Sequence, residues 1–241
     1  TVGTLSTSAG DSVTQSQLAA WIDEFIPGVS QRLVVLTQCF GGDTAKAFAG
    51  KANTAVGSAT SAGQEAIYGG YDDDAAGALK PGAGRTGQTV HDAGVAGKDP
   101  TETPTTGGGL GLGSFSLEDT AAAGDVQSRH VLVYAGQPDN TPGRDVTQRD
   151  TIKGNFAGQT NTTVTTVGGG GGGGWDHAGS AAGLRKALKE IGEAISGAPN
   201  PDKEQFVLFV TDHGDLHRVA AATTGVPPGG PTPVTPTGGL E

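Results

Sequence analysis

The chain has 241 residues and a mass of 23.8 kDa, which fits one large domain or a medium domain with long irregular segments. Glycine supplies 43 residues and proline 13, while apolar residues reach only 34% and aromatics 5%, so part of the chain is expected to be spacer or exposed loop. Twenty-five acidic against 15 basic residues give a formal charge of −10, which argues against nucleic acid as a partner, and no apolar run approaches the roughly 18 residues that span a membrane.

In chain order, the first clear element is a helix over Gln15 to Ile26, with Leu18, Trp21, Ile22, Phe25 and Ile26 on one stripe. Arg32 to Gln38 follows as a continuous apolar run, the pattern of a strand buried on both faces. Asn53 to Ala59 is a weaker strand. From about Gly82 to Gly124 the composition turns to glycine, proline and threonine and predicts spacer. His130 to Ala135 is a second buried-type strand, and Asn161 to Val167, rich in threonine and valine, is a further weak one. The seven glycines from Gly168 to Gly174 are too flexible to order unaided.

After them, Asp176 is placed to cap a helix over Ser180 to Ile195, whose stripe is Leu184, Ala187, Leu188, Ile191 and Ile195, and which Gly197 and Pro199 stop. Gln205 to Thr211 is the third strong strand, and the tail from Val226 to Gly239 reads as extended, solvated chain. Helices alternating with hydrophobic strands predict an α/β layered fold with a mainly parallel sheet.

Two chemically reactive side chains stand directly after strong strands. Cys39 follows the first and precedes Phe40-Gly41-Gly42; His213 follows the third, in Thr211-Asp212-His213-Gly214-Asp215. Ligands of open parallel sheets gather at the carboxyl ends of strands, so the two can be neighbours despite their distance in sequence. An imidazole beside a thiol favours the nucleophilic thiolate, and flanking glycines let a substrate backbone approach. A lone cysteine is also an ordinary small core residue. As the single cysteine, it excludes a disulfide framework and a multi-cysteine metal site. His217 could pair with His213 on a metal only if this stretch were helical, which Gly214 opposes, and the glycine run lacks the lysine and hydroxyl of a phosphate loop. With no methionine and with Thr1 first, the sequence reads as a processed or excised form.

Phe209-Val210-Thr211-Asp212-His213-Gly214 resembles the histidine motif of legumain-type (asparaginyl) cysteine endopeptidases, members of the caspase-like group. Leu36-Thr37-Gln38-Cys39-Phe40-Gly41-Gly42 resembles the group's cysteine motif. Ala59 to Tyr68 is similar to the strand and specificity loop that follow the nucleophile, and His130 to Tyr134 with Arg144 is similar to the first strand and the specificity arginine. The order differs, because here the cysteine half (residues 1–83) precedes the first-strand and histidine half (125–225). The chain therefore resembles a circular permutant, with 84–124 as a linker between the old ends and 226–241 as a flexible tail.

The resemblance implies a three-layer caspase-like sandwich and an endopeptidase that cuts after asparagine or aspartate. Cys39 would be the nucleophile, His213 the base, and the backbone N–H groups of Cys39 and Gly214 the oxyanion donors. Arg144, Thr37, Ser61 and Ile67 would line the specificity pocket. No cofactor is required; the partner is a peptide or protein substrate, and the setting is secreted or extracellular. The alternative is a legumain-like module that no longer cuts and serves binding or assembly. Thr37 and Ile67 stand where the family has an acid and a hydroxyl, which predicts an uncompensated Arg144 and a taste for aspartate at least equal to that for asparagine. Asp72, Asp73 or Asp74 could restore the missing acid; a triple aspartate is otherwise solvated surface.

Overall fold

A computed structural model describes residues 2–7, 11–26, 31–67, 69–119, 126–136, 143–169, 173–211 and 214–217. Its centre is a seven-stranded sheet built from β3 (Gln31–Leu36), β4 (Thr54–Ser58), β5 (Thr105–Gly108), β6 (Ser128–Ala135), β7 (Thr162–Gly168), β8 (His177–Ala178) and β9 (Glu204–Thr211). The spatial order is β5-β4-β3-β9-β6-β7-β8, and every pairing is parallel except that of the edge strand β5 with β4. The strands expected from continuous apolar runs sit at the middle of this sheet, where both faces need apolar side chains.

The two faces are covered by separate helical layers. Val34, Leu36, Leu132, Tyr134, Leu208 and Val210 pack against α1 (Gln15–Phe25), α2 (Gly41–Ala47) and α6 (Ala181–Ser196). Leu33, Val35, Val131, Val133, Val207 and Phe209 pack against α3 (Tyr71–Ala78), α4 (Gly87–Gly97) and α5 (Arg144–Phe156). The molecule is thus helix layer, sheet, helix layer, an α/β fold with a mostly parallel sheet as the sequence predicts. Thr14 opens α1 in a capping box with Gln17. A second, three-stranded antiparallel sheet joins β1 (Val2–Ser6), β2 (Ser12–Thr14) and β10 (Gly214–His217) in the order β10-β1-β2.

Two expectations are corrected. The segment from Gly82 onward is not spacer through residue 119: it folds into α4 and β5, and it buries Val90, Leu112, Phe115 and Leu117 in the same core as α3 and α5. Its apolar residues are few, but these four are buried although Val95 stays exposed, and its glycines allow close approach. A Cβ on Gly87 would lie 3.0 Å from a Leu33 methyl. Nor does Asp176 cap α6. Ser180 does, accepting from the Gly183 N–H, while the Asp176 carboxylate takes the N–H and hydroxyl of Thr166 at 2.8 Å and holds the chain against β7. The glycine run begins inside β7, where Gly168 lies under the Trp175 ring; a Cβ there would come within 2.6 Å of it. Residues 170–172 and the tail 226–241 lie outside the described residues.

Candidate active site

β3 and β9 lie side by side, with Leu36 in register with Val210. In sequence, Cys39 follows Leu36 by three residues and His213 follows Val210 by three. His213 and Asp212 lie outside the described residues; the described residues that flank them are Thr211 of β9 and Gly214. Gly214 opens β10, opposite Leu5 of β1. The first-strand segment β6 is the other neighbour of β9.

Cys39 is half-buried on a sharp turn between β3 and α2. The next residue, Phe40, is left-handed (φ 60°), a conformation that costs a non-glycine residue about 1 kcal/mol or more and persists only where the surroundings impose it. Here they do: the Phe40 ring is buried, its N–H donates to the Gln64 carbonyl at 2.7 Å, and a Cβ on Gly42 would overlap the backbone at Ser61. The thiol meets the backbone of Ala66, whose N–H donates to Sγ at 3.3 Å and whose carbonyl lies 3.7 Å from it.

Three residues beyond Ala66 the chain reaches Arg144. Gly69, left-handed at φ 108°, passes so close that a Cβ on it would lie 3.5 Å from Arg144 Nη2. Arg144 opens α5, and its Nη2 reaches Asp72 Oδ2 at 3.0 Å and Asp73 Oδ2 at 3.1 Å, both from the first turn of α3. Gln148, one turn further along α5, donates its Nε2 to Asp72 Oδ2 at 2.9 Å and Asp73 Oδ1 at 2.8 Å. The Gly69 N–H completes the cage on Asp72 Oδ1 at 3.2 Å. A groove of about 560 Å³ opens beside these groups, lined by Gly69, Asp73, Arg144, Thr147, Gln148 and Thr151.

Arg144 is therefore not an uncompensated cation. Two carboxylates face it, so the cluster as a whole carries one negative charge, and Asp72 is buried rather than solvated. Thr37 is buried too, with its hydroxyl donating to the Val210 carbonyl at 2.9 Å, where it stitches β3 to β9. Ser61 binds the Gln64 side chain at 3.2 Å through its hydroxyl, and Ile67 is exposed, with its N–H given to Glu102 at 2.7 Å.

The sequence did not single out Gln64, Glu102 or Gln148. The i, i+4 spacing of Arg144 and Gln148 on one helix was the only available signal, and it required knowing that a helix starts at Arg144. Beneath the site, Tyr71 of α3 and His91 of α4 share a buried hydrogen bond of 2.7 Å, which fixes α3 immediately before its acidic pair. Burial pushes the His91 pKa below its ordinary value, against the opposing pull of Asp92. Among the described residues, no three histidine, cysteine or acidic side chains gather to hold a metal, and no helix is long and apolar enough to cross a membrane. Comparison with family models, curated proteins and solved structures finds no match.

Proposed function

We propose that the chain is a cysteine endopeptidase of the legumain-like, caspase-like type, in circularly permuted order, and that it cuts after asparagine in preference to aspartate. The observation that carries the reading is the register of β3 and β9, which starts the Cys39 and His213 segments side by side at the carboxyl edge of one parallel sheet. In the reaction, Cys39 Sγ gives up its proton to His213 and attacks the scissile carbonyl carbon. The tetrahedral oxyanion collapses as His213 returns the proton to the leaving amine, and water then releases the acyl group. The Arg144 groove and the thiol are joined by one short stretch of chain, since Ala66 meets Sγ and Gly69, three residues on, passes beside Arg144.

The charge of that groove decides the substrate. An aspartate would add a third carboxylate beside Asp72 and Asp73, whereas the amide of asparagine offers its N–H₂ to an acid and its carbonyl to Arg144 without adding charge. Cleavage after aspartate becomes competitive only as the pH falls toward the ordinary carboxylate range near 4, where the substrate side chain is a neutral acid.

The permuted order is supported by the small sheet. Val2 pairs with His217, so one short hairpin would link the histidine half to the cysteine half, the family's order. Peptide-library profiling at pH 7 and pH 4.5, with an electrophilic peptide probe in parallel, tests the proposal. Cleavage after asparagine and labelling at Cys39 are expected. A folded protein that neither cuts nor is labelled leaves the non-cutting binding module as the function.

A further inference from the structure

The loop from Ser61 to Ile67, which carries the backbone that meets the thiol, is held on one side by the start of α2, through the Phe40 N–H and the Asp43 carboxylate, and on the other by residues 99–103. The Gln64 side chain donates from Nε2 to the Thr101 carbonyl at 2.6 Å and accepts the Thr103 N–H on Oε1 at 2.9 Å. Glu102 spans the junction. Its Oε1 takes the Ile67 N–H at 2.7 Å, its Oε2 takes the Asp99 N–H at 3.0 Å, and the residue is only 3% exposed. A buried carboxylate is costly unless its oxygens are satisfied, and here two backbone N–H groups from two loops satisfy them, one from the Cys39 loop and one from its own. The residue next to Ile67 is Ala66, whose N–H points at Sγ.

From this arrangement we infer that Glu102, with Gln64, is a positioning residue for the nucleophile: it clamps residues 64–67 so that the Ala66 N–H is held on the Cys39 sulfur. The inference rests on Cys39 being the nucleophile and assigns what sets its state. A hydrogen bond donated to sulfur favours the thiolate over the thiol, because only the anion gains fully from the donor. The neighbouring Ala66 carbonyl, at 3.7 Å, can accept only from the protonated thiol and is the more distant contact. The charged and titratable groups around the clamp are Asp43 on α2, whose carboxylate also takes the Gly63 N–H at 3.0 Å, its partner Lys46, Glu65 of the loop, Lys98, whose Nζ donates to the Asp99 carbonyl at 3.2 Å, Asp99 and Glu102 themselves, and the buried Tyr71 of α3, which feels the Glu102 charge.

The chain has one cysteine, so its alkylation reports Cys39 alone. Iodoacetamide alkylation of the full chain is followed from pH 5 to pH 10, and two quantities are read separately. The plateau rate at high pH reports access to the sulfur; the ratio of the rate at pH 7 to that plateau reports how much thiolate is present at pH 7. Glu102→Ala and Gln64→Ala should each lower the ratio, Glu102→Ala by about tenfold, which corresponds to one unit on the pH axis. The plateau should rise as the loop loosens. Glu102→Gln keeps an oxygen for Ile67 but faces the Asp99 N–H with a donor, so it should fall between the wild type and alanine.

An unchanged ratio in a Glu102→Ala protein with native circular dichroism overturns the inference. If that variant does not fold, an unchanged ratio in Gln64→Ala overturns it equally. A lowered ratio in a protein that cuts no peptide keeps the clamp and removes the peptidase, and an unchanged ratio in an active peptidase does the reverse.

Discussion

At the scale of single residues, charge and burial separate the candidate groups by role. Cys39 is half-buried and its sulfur meets the Ala66 backbone, so Cys39→Ala should abolish the proposed cleavage while changing stability by less than about 1 kcal/mol. Peptide turnover together with denaturant unfolding checks both halves, and residual turnover near the wild-type rate would overturn the nucleophile. Asp72 is the buried acid of the groove. Asp72→Asn keeps its shape and removes one negative charge, which should shrink the preference for asparagine over aspartate by about tenfold, readable as a ratio of kcat/KM values. An unaltered ratio would mean that another part of the site discriminates.

His91 makes a stability prediction with a definite sign. Burial depresses its pKa in the folded state, with Asp92 opposing, so the unfolded chain binds the proton first as pH falls through about 6.5. Its contribution is complete above that pH and is lost below it. Unfolding free energies at pH 7.5 and pH 5.5 should therefore diverge more in the wild type than in His91→Gln, and equal divergence would exclude His91 as the cause.

At the scale of elements, glycines in helices carry information that propensity alone reverses. In an exposed helix, replacing glycine with alanine stabilises by up to about 1 kcal/mol. Gly192 of α6, however, lies against the backbone of Phe25 at the end of α1, and a Cβ there would overlap its carbonyl oxygen. Gly192→Ala should therefore lower the melting temperature, and a rise would show that α1 and α6 can separate at little cost. Phe115, within the segment whose composition reads as spacer, is fully buried among residues of the α3 and α5 layer. Phe115→Ala should cost about 3–5 kcal/mol in chemical denaturation. A loss below about 1 kcal/mol would return that segment to the status of a loose connection.

At the scale of the whole molecule, the two halves of the chain meet edge to edge in one sheet. Residues 1–83 supply β3 and β4, residues 125–225 supply β9, β6, β7 and β8, and the halves join at the β3–β9 pairing, so neither completes the sheet alone. Because Val2 faces His217, a chain opened between residues 119 and 126 and closed through a short turn from 217 to 2 should fold to the same structure. It should match the original in circular dichroism and in the pH profile of Cys39 alkylation. Failure to fold would show that the present chain order is needed, and would remove the main support for permutation.

The sequence by itself determined the class of fold and the middle of the sheet. Runs such as Leu33 to Leu36 and Phe206 to Val210 are apolar at every position, which only a strand covered on both faces tolerates, and α1 and α6 show one apolar stripe each. It also placed Cys39 and His213 after two such strands. The tertiary structure decided the rest. α3, α4 and α5 carry aspartates, glycines and few apolar residues, so their helical state depends on packing against the sheet rather than on a local pattern. The partners of Arg144 come from 71 and 72 residues away, and those of the Cys39 loop from a segment composed like spacer. Charge pairing across such distances has no local signature, because it arises only when the fold brings one surface of α3 against one turn of α5.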